Sequence, residues 1–137
     1  MKSDNKFIIL FGSIKKKIYK LLNEEVKKYD LSIMEATYLM IINSNKNGIS
    51  FKDLTKEADC DKGMTTKVIA SLKNRDLVYF NENLYYVTDE GKAMSLKLNN
   101  ILVRYKNRLI NMVGSKDDLE NFYYNLEQFN NMLEEEI

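Results

Sequence analysis

The residues able to do chemistry are few, and the most suggestive of them sit in one short run. The 137-residue chain has no histidine and a single cysteine, Cys60. That removes the commonest general base and leaves too few thiolate and imidazole ligands for a zinc site within one chain. No G-x-S-x-G, Walker A or G-x-G-x-x-G spacing occurs, so acyl transfer and nucleotide chemistry have no constellation to work with. The sequence therefore predicts neither an enzyme nor a bound metal or cofactor.

What remains is a mixed set just after Cys60, with two lysines and two hydroxyls among Lys62, Gly63, Met64, Thr66, Lys67, Ala70 and Ser71. If 62–75 is a helix, Thr65, Val68, Ile69 and Leu72 form its inward face, and this set lies on the outer face or its edges. Threonine can bond a base edge or phosphate, and lysine can reach phosphate or guanine O6/N7. Lys62 lies at the helix start, close to any passing backbone, and Gly63 would permit close approach. An ordinary solvated helix face would carry the same residue types. At Cys60 the helix start and Lys62 would favour a reactive thiolate, a candidate redox switch. Asp59 and Asp61 oppose it and favour an unreactive thiol.

The surrounding elements are those needed to hold such a helix against DNA. Phe51, Leu54 and Ala58 have helical spacing, the polar break Asp59-Cys60-Asp61 follows, and helix 62–75 comes next. After Asp76 the period drops toward two. The runs Leu77-Val78-Tyr79-Phe80 and Leu84-Tyr85-Tyr86-Val87 flank the tip Asn81-Glu82-Asn83, whose asparagines could bond groove acceptors, and strands are expected over 77–81 and 84–88. Helix, turn, helix, hairpin is the order of a winged helix-turn-helix. Capping-box spacings begin at Ser32, Ser50 and Ser115, and Thr88 precedes Asp89-Glu90, as suits helix N-termini. Gly48 is free to close the second helix in a left-handed conformation. The spacing predicts helices 5–28, 32–45, 51–58, 62–75, 89–113 and 116–135. The expected fold is mainly α with a small β-hairpin, in one domain: a winged unit over about 32–91, flanked by dimerisation helices over about 5–28 and 92–135.

Composition is compatible with this. Charged residues make up 30% and apolar residues 45%, as in a folded soluble domain. No apolar run approaches the roughly 18 residues of a membrane span, and the run Phe7–Phe11 is too short for a secretory leader. The single cysteine suits a reducing cytoplasm. The formal net charge is only +1, but residues 1–30 carry +4 and residues 101–137 carry −3, and phosphate affinity depends on the local patch. The lysines at 15, 16, 17 and 20 read as solvated or near DNA, not as a membrane contact.

Three apolar stripes lie outside the winged unit. Phe7, Phe11, Ile14, Ile18, Leu21, Leu22 and Val26 share one helical face. Leu119, Phe122, Leu126, Phe129 and Leu133 follow a 3-4 seam, and Met94, Leu98, Ile101, Tyr105, Leu109 and Met112 form the third. The alternative is that all three stripes are intramolecular core, but so small a winged module could not cover them all, which favours a homodimer through the terminal helices. Phe11, Met34, Tyr38 and Tyr105 could line a pocket for a small-molecule effector, although at this spacing such residues are more often plain core.

The chain resembles the multiple-antibiotic-resistance regulator (MarR) family over nearly its whole length. The resemblance rests on an ordered set: Leu31-Ser32 with Leu39, Ile49-Ser50-x-x-Asp53-Leu54, Asp61 to Lys67 leading to Leu72, Leu77-Val78, and Val87-Thr88-Asp89-Glu90-Gly91. It implies a two-fold dimer that binds a pseudo-palindromic duplex as a transcriptional regulator, most simply a repressor. In many members a small ligand or cysteine oxidation releases the DNA. Asp76 replaces the family's usual glycine, and aspartate tolerates the left-handed conformation expected there. The wing departs further: no Lys or Arg occurs between Asp76 and Lys92, where the family carries an arginine, and Glu82 at the tip would repel phosphate. The competing expectation is a winged-helix protein-interaction module with weak or no sequence-specific DNA binding.

Overall fold

The computed structural model describes residues 3–137. Its elements in chain order are α1 (Ser3–Lys27), α2 (Ile33–Ser44), α3 (Phe51–Glu57), α4 (Lys62–Asn74), β1 (Val78–Asn81), β2 (Leu84–Val87), α5 (Asp89–Val113) and α6 (Lys116–Glu136). Every predicted element is present, with ends displaced by no more than two residues. Two compact units divide the chain, one ending at Leu98 and the other spanning Asn99–Ile137.

Caps account for most of the boundaries in the first unit. The Ser32 side chain accepts from the Glu35 amide, and the Glu35 carboxylate accepts from the Ser32 amide at 3.0 Å, a complete capping box at α2. At α3 only half of the expected box forms: Ser50 accepts from the Asp53 amide at 3.1 Å. Aspartate is one methylene shorter than glutamate, which disfavours the return bond. Asp61 caps α4, its Oδ1 accepting from the Met64 amide at 2.8 Å. Gly48 has φ +90°, and a Cβ there would lie 2.7 Å from the Tyr86 ring. Asp76, Asp30 and Asp59 also take positive φ, so short polar side chains make the turns that glycine often makes.

α1 packs on α2, and α2 lies against α3, α4 and β2. The core between them holds Tyr38, Leu39, Ile42, Leu54, Val68, Ile69 and Leu72. The strands pair antiparallel with Asn81 opposite Leu84. The hairpin tip is therefore the two-residue turn Glu82-Asn83, both at positive φ (49° and 66°), and not the three-residue tip expected from the sequence. Positive φ at both central positions is the type I′ geometry whose twist suits a tight hairpin. A bridge the sequence did not reveal ties Ile49 to Tyr85 through amide–carbonyl bonds of 2.8 and 3.2 Å. It fastens the wing to the chain entering α3.

The second unit consists of the last part of α5 together with α6. Ser115 caps α6 by accepting from the Asp118 amide at 3.1 Å. Ile101 and Leu119 are buried, whereas Phe122, Leu126 and Leu133 are exposed.

Candidate nucleic-acid interface

α4 is held at its start and along its inner face. Asp61 fixes the first turn, and Thr65, fully buried, anchors the helix to two others. Its Oγ1 lies 2.8 Å from the Tyr38 hydroxyl of α2 and 2.8 Å from Thr55 Oγ1 of α3, and it donates to the Asp61 carbonyl at 3.2 Å. Burial pushes the Tyr38 hydroxyl above its ordinary pKa. The Thr65 bond works against this, while neighbouring Cys60 and Asp61 add to it. Tyr38 is thus committed within the core, where the sequence had placed it among possible effector contacts.

The inner and outer faces of α4 divide as the spacing predicts. Thr65, Val68, Ile69 and Leu72 are buried, and Lys62, Gly63, Met64, Thr66, Lys67 and Ala70 are exposed. Thr66 Oγ1 donates to the Lys62 carbonyl at 2.9 Å, so what it offers outward is an acceptor oxygen and a methyl group. Gly63 is not demanded by the fold: a Cβ there would meet nothing closer than Asp61 Oδ1 at 3.4 Å. Ser71 stands apart from this set, half-buried and donating to Glu35 Oε2 at 2.7 Å. Burial raises the Glu35 carboxyl, but the bonds from Ser71 and Ser32 and the charge of Arg75 together hold it below its usual value. Arg75 donates to the carbonyls of Asp30 and Tyr29 at 2.6 and 3.0 Å, which locks the end of α4 to the turn after α1.

The other candidates fall in different places. Asn81, Glu82 and Asn83 are exposed at the wing, and Tyr79 and Phe80 beside them are 46% and 48% exposed. Cys60 is half-buried, its thiol donating to the Ala58 carbonyl at 3.3 Å. Phe11 is exposed on α1, Met34 is half-buried on α2, and Tyr105 is half-buried in the second unit. None of the four effector candidates lines either of the two cavities described. The larger cavity, about 630 Å³, opens instead beside the wing and the starts of α3 and α4. Sequence reasoning missed Asp61 as a cap, although Asp three residues before Met64 is a legible signal. It also missed Lys52 and Phe80 beside this cavity, for which spacing carries no signal. Among the described residues no cluster of His, Cys, Asp or Glu could hold a metal, and no helix is long and apolar enough to cross a membrane.

No protein-family model matches the chain, and no curated protein matches it. Solved structures do. Staphylococcus aureus MepR in complex with DNA superposes with a TM-score of 0.84 at 14% identity, covering 96% of this chain and 99% of that one. The chain has a MarR-type winged-helix fold. Staphylococcus aureus MarR in complex with salicylate and kanamycin matches with a TM-score of 0.80 at 15% identity, over 98% of this chain and 94% of that one. The transcriptional regulator SlyA matches with a TM-score of 0.78 at 18% identity, over 95% of each. At these identities the MarR-type likeness is one of backbone architecture, and the side chains of the α4 face are this chain's own.

Proposed function

We propose that the protein is a homodimeric, cytoplasmic transcriptional regulator that binds a pseudo-palindromic duplex through α4, most simply as a repressor occluding a promoter. The observation that carries the reading is the exposed face of α4. Lys62, Thr66 and Lys67 stand clear on a helix whose start and inner face are rigidly held, in the fold that MepR has in its DNA complex. Lysines supply phosphate affinity, and Thr66 supplies a contact to base edges. Apolar side chains exposed on α1 (Phe11, Ile14 and Ile18) and on α6 (Phe122, Leu126 and Leu133) support a dimer, because a second copy would cover them. An effector that releases the DNA belongs to the same reading.

Selection of bound fragments from random duplex DNA tests this proposal. Enrichment of a two-fold motif is expected, and enrichment of none would overturn it. One observation favours a second reading, a protein-interaction module. The wing exposes Tyr79 and Phe80 and bears Glu82, with no cation between Asp76 and Lys92. Failure of the selection would favour that alternative.

A further inference from the structure

The cleft of about 630 Å³ lies between the start of α3, the start of α4 and the wing. Phe51, Phe80 and Tyr85 give it an apolar lining, Lys52 and Lys62 give it two cations, and Asn83 reaches it from the hairpin turn. No carboxylate is among its lining residues, although Glu82, the residue before Asn83, is exposed. The aromatic side is not loosely placed. Phe80 pairs with Tyr85 at 4.7 Å between ring centroids, and the Tyr85 backbone is bonded to Ile49 through both its amide and its carbonyl.

We propose that this cleft seats one strand of the DNA backbone, with Lys52 and Lys62 on its phosphates and Phe80 against a deoxyribose, so that the wing's contact with DNA is apolar and not ionic. The proposal rests on the DNA-binding reading above and adds Lys52, Phe80 and the cleft to it. Three observations select this occupant. A nucleic-acid strand alternates anionic phosphate with apolar sugar, and the cleft sets cations beside rings in the same way. Lys62 belongs both to the cleft and to the exposed face of α4, so a strand lying along α4 passes the cleft without a break. A wing with no Lys or Arg from 77 to 91 has no ionic means of holding phosphate, whereas an exposed ring held from behind can pack on sugar. Asn83 then serves as a hydrogen-bond donor at the edge of the strand, and Glu82 marks where the strand must turn away.

The test is titration of a labelled duplex into the full chain at two salt concentrations. Phe80→Ala should weaken binding by about three- to tenfold, by the same factor at both concentrations, because apolar contact is not screened. Phe80→Tyr, which keeps the ring, should restore it. Lys52→Ala should weaken binding more at low salt and lower the salt slope by about one. A Phe80→Ala variant that binds as tightly as the unaltered chain overturns the proposal while leaving DNA binding by α4 intact. So does a loss seen only at low salt. A third overturning result would be benzoate binding that depends on Phe80 while duplex affinity does not, since that assigns the cleft to a small aromatic acid. Absence of duplex binding by the unaltered chain would overturn the DNA-binding reading itself and this proposal with it.

Discussion

The Tyr38 hydroxyl lies 2.8 Å from Thr65 Oγ1 at a point where both residues are wholly buried. Thr65 has one proton, and donating it to the Asp61 carbonyl leaves its oxygen to accept from Tyr38. Thr55 Oγ1 approaches the same oxygen from α3 at 2.8 Å. A single hydroxyl therefore joins α2, α3 and the first turn of α4. Directional bonds in a buried site fix helix orientation more tightly than apolar contact alone, and the helix so fixed is the one that presents Lys62, Thr66 and Lys67.

The two partners should respond unequally to substitution. Tyr38→Phe leaves Thr65 bonded to Thr55 and Asp61, and should cost about 1 kcal/mol of stability. Thr65→Val strands the Tyr38 hydroxyl without its partner in the core, and should cost about 1–3 kcal/mol. Chemical denaturation of both variants measures the order. Equal effects, or the reverse order, would show that Tyr38 finds another partner.

Gly91 should prove irreplaceable. A Cβ at this position would fall on the Leu77 carbonyl oxygen, well inside contact distance. That oxygen accepts from the Thr88 amide at 3.1 Å, and Thr88 Oγ1 accepts from the Gly91 amide at 3.0 Å. The start of α5 is thereby locked to the chain entering the wing. Gly91→Ala should lower stability by about 1–3 kcal/mol or more, as overpacking against rigid backbone does. Thermal unfolding of the variant reads this directly.

Much of this architecture was legible because it rests on local signals. Serine caps, the 3.6-residue stripe of α4 and the change of period after Asp76 each mark an element by themselves. The Tyr38–Thr65–Thr55 network was not legible, because a threonine at an inward position and a buried tyrosine look the same whether or not they meet. Ser71 belongs to the outer face of α4 or its edges by spacing, which gives no hint that Glu35, 36 residues earlier, takes its hydroxyl. Asn81, a turn-former by type, falls both in the expected strand 77–81 and in the expected tip, and pairing with Leu84 places it in the strand. The cleft beside Phe80 depends on three separate segments meeting, which no periodicity encodes.

Glu35 should give stability an acid limb. Its carboxyl is held below its ordinary value by Ser71, Ser32 and Arg75 despite burial. A depressed carboxylate contributes stability that is fully present above its unfolded pKa, about 4.3. That contribution is lost as the pH falls through the lower folded value. Glu35→Gln should be less stable than the unaltered chain at neutral pH, and the difference should shrink on acidification. A pH series of denaturant melts checks this, and a difference that does not change with pH would mean that the carboxylate's charge contributes nothing.

The dimer proposed here should come apart when charge enters α6. Leu126 is 36% exposed on the seam that also carries Phe122, and Leu126→Lys would place an ammonium in an apolar contact. Sedimentation at micromolar concentration should show the unaltered chain as a dimer and the variant as a monomer. Duplex binding should be lost together with the dimer, since one half-site rarely supplies enough affinity. A monomeric unaltered chain would end this reading of the exposed stripes.

At the wing tip, sequence and geometry together define a charge-reversal test. Glu82 is exposed at φ 49° in the two-residue turn, so lysine inherits the same backbone strain and the hairpin is not newly penalised. If phosphate passes near, Glu82→Lys replaces repulsion with attraction and adds counterion release. Binding should tighten more at low salt than at high, and by a similar factor for selected and random duplexes, because a backbone contact reads no bases. Thr66→Ala should behave in the opposite manner. It should cost about 1–3 kcal/mol on the selected site and little on random DNA if its outward acceptor and methyl read a base pair. Titrating both variants on both duplexes separates position from recognition. A Glu82→Lys variant with unchanged affinity at low salt would keep the hairpin tip away from the duplex, leaving α4 and the cleft beneath the wing as the whole of the interface.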